Sequence, residues 1–188
     1  DGLADMIELN ISCPNVRAGG MALGIKPENV EEVTRLCKAQ LKKTPLIVKL
    51  SPNVESIATN ARAAERGGAD CISLINTLTG MVIDIERRRP IIANNTGGVS
   101  GAGIMPIALR MVYEAAHAVE IPVMGMGGIT CGKDAIAFMM AGASAVQVGT
   151  ANFTDGYAIP RIVKEMDEWL ESHGIGDVNE IVDTLKLN

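Results

Sequence analysis

The sequence predicts an α/β protein: about five βα units that form the C-terminal part of a (β/α)8 barrel. Three observations carry this reading. Short, near-continuously apolar and β-branched runs recur at residues 6–11, 46–50, 71–75, 123–126 and 145–148, as expected of parallel strands buried on both faces. Stretches with helical periodicity fall between or after them, the alternation that places helices outside a parallel sheet. Two glycine turns, "MGMGGIT" and "VGTANF", follow the last two strands. A doubly wound sheet fits the alternation equally well, but its dinucleotide fingerprint belongs after the first strand of a unit. A barrel binds phosphate with the loops that follow its last two strands.

The helical stretches run over residues 28–43, 54–66, 106–119, 133–140 and 157–172, with a short last helix expected over 178–185. In the first of them Val30, Val33, Leu36, Cys37 and Leu41 are expected to share one buried stripe. "ERGGADCISLIN" and "MMAGASAVQVGT" repeat one theme, in which glycine ends a helix, a short turn follows and an apolar strand begins. No linker, low-complexity segment or second domain interrupts the pattern, so residues 1–188 read as one domain. A barrel typically needs ~250 residues. About three βα units are therefore expected to be missing on the N-terminal side, and a first residue other than Met reads as a start inside a domain.

Composition narrows the function. The net charge of −5 does not suggest a nucleic-acid or acidic-membrane partner. No apolar run is long enough to span a bilayer. The four cysteines, Cys13, Cys37, Cys71 and Cys131, form no CxxC clip, so a local zinc or iron–sulfur site is not expected, and reduced thiols fit a cytoplasmic protein. His117 and His173 stand apart from other candidate groups, so neither a histidine base nor a metal site is expected.

In a parallel barrel the chemistry sits at the C-terminal ends of the strands. Those ends carry Asn10, Lys49, Asn76 with Thr77, Gly127 with Gly128, and Gly149 with Thr150. Together they suggest one polar mouth. Lys49 reads either as a lysine snorkelling from a strand end or as a fixed cation facing an anionic or electron-accepting ligand. Asn10 and Asn76 read as strand-end caps or as partners for imide and carboxylate edges. The glycines read as tight turns or as a backbone cradle for phosphate. The long connection between Thr77 and Gly101 reads as functional or mobile, and Arg87, Arg88 and Arg89 within it as a solvated patch. Cys71 and Cys131 read as structural. Cys13 differs: it lies just past a strand end, before Pro14, where a substrate can reach its thiol.

The segments "ELNISCPNV", "PLIVKLSPNV", "ISLINTLTGM", "GGVSGAGIMPIALRMV", "IPVMGMGGI" and "GASAVQVGTANF" closely resemble the dihydroorotate dehydrogenase catalytic subunit, in collinear order over essentially the whole chain. The resemblance is to the cytosolic class-one enzymes, and "NTLTGMVIDIERRRP" resembles the subclass that passes electrons to NAD. It implies an FMN-containing barrel that oxidises dihydroorotate to orotate in pyrimidine biosynthesis. By the same resemblance Cys13 is the base that takes the C5 proton while a hydride leaves C6 for the flavin. Serine stands at that position in membrane-bound relatives. Asn10 would contact flavin and substrate, and Asn15, Asn76 and Thr77 the substrate. Lys49, Ile75, Gly101, Gly127, Gly128, Gly149 and Thr150 would hold FMN.

The resemblance also implies a homodimer joined to an electron-transfer subunit that carries FAD and a 2Fe–2S cluster. In relatives the N-terminal third supplies early strands, another lysine and further ligand contacts, so this chain alone is not expected to close a barrel or to bind FMN tightly. Other FMN barrels, such as a dihydropyrimidine dehydrogenase domain or a dihydrouridine synthase, a non-catalytic barrel fragment and a phosphate-binding isomerase are the competing readings.

Overall fold

A computed structural model describes residues 2–12 and 23–188. Cys13 and Asn15 lie outside the described residues. A five-stranded parallel sheet is built from β1 (Ile7–Asn10), β2 (Leu46–Lys49), β3 (Cys71–Leu74), β8 (Val123–Met126) and β9 (Ala145–Gln147), in that spatial order. Helices α1 (Pro27–Lys38), α2 (Ile57–Arg66), α3 (Met105–Ala116), α4 (Gly132–Met140) and α6 (Ala158–Ser172) alternate with or follow the strands. Residues 102–104 and 178–181 form single 3₁₀ turns, and α5 (Ala151–Thr154) is one short turn after β9.

The pleat gives each strand two faces. Registered pairs such as Val48 with Ile72, and Ile72 with Val123, share the convex face. There Leu46, Val48, Ile72, Leu74 and Val123 are buried against Val30, Ala61, Ala64, Ala108, Val112 and Phe138 of the helices. Alanine at so many helix positions lets the helices lie close to the sheet, which is how a chain with 3% aromatic residues fills its core. Where a ring is used, a glycine makes room. Phe138 is fully buried over β8, and a Cβ on Gly125 would stand 2.6 Å from its ring. Phe138→Ala is expected to cost about 3–5 kcal/mol, measured as a lowered urea midpoint at unchanged slope.

The concave face carries the polar residues of the strands, interspersed with Ile47, Cys71, Met124 and Met126. Asn10 pairs with Lys49, Lys49 with Ser73 and Ser73 with Met124. The sheet is strongly curled, because Gln147 on β9 donates to Glu8 on β1 at 3.3 Å although these are the two outermost strands. A parallel sheet curled into a trough, with its helices outside, is part of a (β/α)8 barrel.

Two helix ends repeat one device. After α2, Gly68 N–H donates to Glu65 and Ala69 N–H to Ala64; after α4, Gly142 N–H donates to Met139 and Ala143 N–H to Phe138. Both are Schellman closures, and each delivers the chain to the next strand. Strand entry is also tied by Asp70, whose carboxylate accepts from the Leu46 amide at 2.7 Å and from Lys38 at 2.5 Å. Burial pushes that carboxyl up, but the two donors outweigh it and leave it below the usual carboxylate range.

Several expectations are corrected. Helix α1 ends at Lys38, short of residue 43, where the chain turns toward Thr44 and Pro45; a residue before proline is disfavoured in helix. Leu36 is exposed, because six residues after Val30 it lies about 240° around the helix. Thr34 takes the buried place, and Cys37 is half-buried against the core. Helix α2 begins at Ile57 with Ser56 as its cap, and α3 ends at Ala116. The last helix shortens to a 3₁₀ turn, Val178–Ile181.

The long connection is ordered into two small antiparallel ribbons. In one, β4 (Leu78–Gly80) pairs with β7 (Gly97–Val99); in the other, β5 (Ile83–Asp84) pairs with β6 (Arg89–Pro90). Arg87, Arg88 and Arg89 are exposed at the tip. Among the described residues no helix is long and apolar enough to cross a membrane.

Candidate active site

The strand ends converge on an open cavity of about 220 Å³ at the C-terminal rim of the sheet. Lys49 comes from the end of β2, and Ile75, Asn76 and Thr77 from just past β3. Gly127 and Gly128 follow β8, Gly149 and Thr150 follow β9, and Gly101 arrives from the far end of the β4–β7 ribbon. Every one of these sequence-predicted residues lines the cavity, with Ile104, Met126 and Ile129 as apolar wall. Asn10 stands beside it: Asn76 Nδ2 donates to Asn10 Oδ1 at 3.4 Å and to Ser12 Oγ at 2.8 Å, and Ser12 Oγ donates to Asn10 Oδ1 at 2.9 Å.

The loop after β3 is fixed by its own amides. Thr77 N–H donates to Asn76 Oδ1 at 2.7 Å. Asn53 clamps the far side, donating to the Thr77 carbonyl at 3.1 Å and accepting from the Thr79 amide at 3.0 Å. Across the cavity the Thr150 hydroxyl donates to Ser100 Oγ at 2.8 Å, joining the β9 loop to the ribbon's return.

Gly128 needs its missing side chain. Its φ is +79°, and a Cβ would lie 2.8 Å from the Met105 nitrogen and 2.9 Å from the Gly101 carbonyl oxygen. Gly149 is different, with nothing within 4 Å of such a Cβ, so its backbone faces open space on the cavity side. A backbone exposed in this way can approach a phosphate closely.

Sequence reasoning missed the charged cluster beneath the mouth. Glu8 accepts from Ser73 Oγ at 2.8 Å, from Lys49 Nζ at 3.3 Å and from Gln147 Nε2 at 3.3 Å. Burial pushes its carboxyl up, but the Ser73 hydroxyl, the Lys49 charge and the Gln147 amide together hold it below the usual range. The alternation of Glu8 with Asn10 was the one available signal, and Ser73 and Gln147 join only through register. Cys71, lower in the trough, is buried, and burial pushes its thiol up to about 11, with Glu8 and Asp70 adding to the rise. It is an inert, protonated thiol. Cys131 begins α4, where Asp134 accepts from the backbone of Thr130 and Cys131, so both cysteines serve the framework. Among the described residues no group of three or more histidine, cysteine or acidic side chains could hold a metal ion.

The family model for dihydroorotate dehydrogenase matches residues 1–170. This chain belongs to the dihydroorotate dehydrogenase family. A protein of Bacteroides fragilis is 57% identical over 181 residues, covering 96% of this chain and 59% of its own length. One of Alkaliphilus oremlandii is 55% identical over 185 residues, 98% of this chain and 61% of its own. One of a Geobacter species is 54% identical over 189 residues, 100% of this chain and 62% of its own. Each is named dihydroorotate dehydrogenase B (NAD(+)), catalytic subunit. The chain thus spans about three fifths of the length of the curated relatives it matches. A crystal structure of DHODH from Eimeria tenella in complex with ferulenol superposes with a TM-score of 0.81 at 23% identity, over 96% of this chain and 54% of that one. At that identity it shows the fold, and the fold it shows is the dihydroorotate dehydrogenase barrel.

Proposed function

We propose that this chain carries the catalytic mouth of a dihydroorotate dehydrogenase that oxidises dihydroorotate to orotate with FMN, in the NAD-linked branch of the family. The single observation behind the proposal is the cavity: Lys49, Asn76, Thr77 and the glycines of three separate loops meet there, at the rim where barrel enzymes work.

The lining fits a flavin mononucleotide. The open backbone at Gly149 and the Thr150 hydroxyl suit a phosphate, Gly128 permits a flat group to lie against the chain, and Ile75 and Gly101 complete its bed. When bound, FMN supplies the hydride acceptor. Lys49 offers a fixed positive charge where negative charge builds during transfer. Asn76 and Asn10, already oriented by Ser12, present amide donors and acceptors to the edges of a planar pyrimidine, with Thr77 beside them; by family resemblance Asn15 is assigned to the same ligand. Cys13 takes the C5 proton onto its sulfur. A thiol with a reference pKa of ~8.5 makes that step faster as pH rises.

On this reading the whole chain, 1–188, acts as one FMN-binding domain of a cytoplasmic enzyme. It works as a homodimer with a second subunit that carries FAD and a 2Fe–2S cluster, the partner that passes electrons to NAD. The relatives' designation as catalytic subunits supports a partner of some kind.

The test is an anaerobic flavin spectrum. FMN is added to the chain, alone and with the N-terminal portion of a close relative supplied in trans, and dihydroorotate follows. Loss of the visible flavin band in either mixture is the expected result. FMN that binds but stays oxidised with dihydroorotate overturns the substrate assignment, and failure to bind FMN in both mixtures overturns the flavin assignment.

A further inference from the structure

The trough below the mouth holds a carboxylate that the reaction outlined above does not use. Glu8 projects from β1 toward donors on three other strands: Lys49 on β2, Ser73 on β3 and Gln147 on β9. Its side chain is 29% exposed and that of Lys49 20%, so both charges are partly shielded from bulk water. A lysine ammonium rides on a flexible four-carbon stem and has no preferred direction of its own. Among the described residues it has two neighbours of consequence, the cavity it lines and the oxygen of Glu8 at 3.3 Å. That distance is long beside the roughly 2.7–2.9 Å of a tight charge-assisted bond. The ammonium is therefore held without being locked.

Glu8 itself is well fixed. One carboxylate oxygen takes the Ser73 hydroxyl at 2.8 Å and the Gln147 amide at 3.3 Å, leaving the other for Lys49. Gln147 is steadied further by a 3.6 Å contact from its amide to the Met124 sulfur.

We propose that Glu8 is a positioning residue for Lys49: seated on Ser73 and Gln147, it tethers the ammonium at the cavity floor and supplies its counter-charge until a ligand that carries or develops negative charge shares it. The identity of that ligand as a flavin rests on the function proposed above; the tether is a property of the strands. Part of the cost of burying a cation under the mouth is then met before binding, because the charge enters the site already paired. The ligand does not have to break a tight salt bridge to reach it.

The experiment is amine-directed acylation of the full chain, with labelling at each lysine followed by peptide mass spectrometry in the wild type, Glu8→Gln and Ser73→Ala. Glu8→Gln keeps the shape and removes the charge, and is expected to raise the labelling rate at Lys49 about two- to fivefold. Ser73→Ala, which loosens Glu8 without neutralising it, is expected to give a smaller rise in the same direction. Lys38, tied to Asp70 on the helix side, is the control; a rise there of the same size means that Glu8 merely keeps the sheet intact, and overturns the tether. Equal labelling of Lys49 in the three proteins also overturns it. If Glu8→Gln does not fold, Ser73→Ala carries the comparison. Addition of FMN separates the two readings. Protection of Lys49 by FMN in the wild type, alone or with the N-terminal portion of a close relative in trans, supports the flavin site, whereas a Glu8 effect without such protection in either mixture keeps the tether and removes the flavin.

Discussion

Cys13→Ala is expected to leave FMN bound and to lower turnover of dihydroorotate by at least about a hundredfold, the scale that a positioned base contributes. The substitution removes the sulfur that would accept the C5 proton and leaves the identities of the described cavity-lining residues unchanged. Cys13→Ser should be almost as slow, because a hydroxyl is a far weaker acid than a thiol and is scarcely ionised at neutral pH. Anaerobic stopped-flow reduction of bound flavin reads this directly. Wild-type rates should climb with pH as the thiol ionises, and the residual rates of the variants should not follow that rise. A wild-type profile that is flat from pH ~6 to ~10, with flavin reduction shown to be rate-limiting, would remove Cys13 from the role of base.

Gly128→Ala is expected to lose about 2–5 kcal/mol of stability, combining about 1–2 kcal/mol for a left-handed residue with about 1–3 kcal/mol for overpacking. The added methyl would meet the Met105 nitrogen and the Gly101 carbonyl oxygen, both backbone atoms that cannot turn aside. The β8 loop would have to move, and with it the bed proposed for the flavin. Gly149→Ala is the matched comparison, since its Cβ meets nothing within 4 Å. It should unfold at nearly the wild-type urea midpoint while weakening FMN binding, because the methyl fills space meant for ligand. Equal midpoints for Gly128→Ala and the wild type would show that the loop yields at no cost.

Much of this architecture could be read from the sequence, for identifiable reasons. The strands were found to within a residue because continuous apolar, β-branched runs bounded by glycine or polar residues have few other uses. The mouth followed from the rule that barrels place their chemistry at strand ends, and the Asn10, Lys49, Asn76 and glycine positions do converge. The ribbons between Thr77 and Gly101 were not read, because strands of two or three residues carry no period and their pairing joins residues such as Leu78 and Val99 across an intervening second ribbon. The Glu8 cluster was missed for a related reason. A lone glutamate in an apolar strand looks like an exception until register sets Ser73, Lys49 and Gln147 around it, and register is a property of strand pairs. Helix ends were missed where proline or a capping serine decided them locally, as at Ser56 and Pro45.

The two-faced strands have an evolutionary consequence. Val48, Ile72 and Val123 seal the sheet to its helices, while their immediate neighbours Lys49, Ser73 and Met124 look into the trough. Stability and chemistry are therefore written in alternate letters of the same short words. A lineage can revise which small molecule the trough accepts by changing every second residue, and leave untouched the layer that keeps the chain folded.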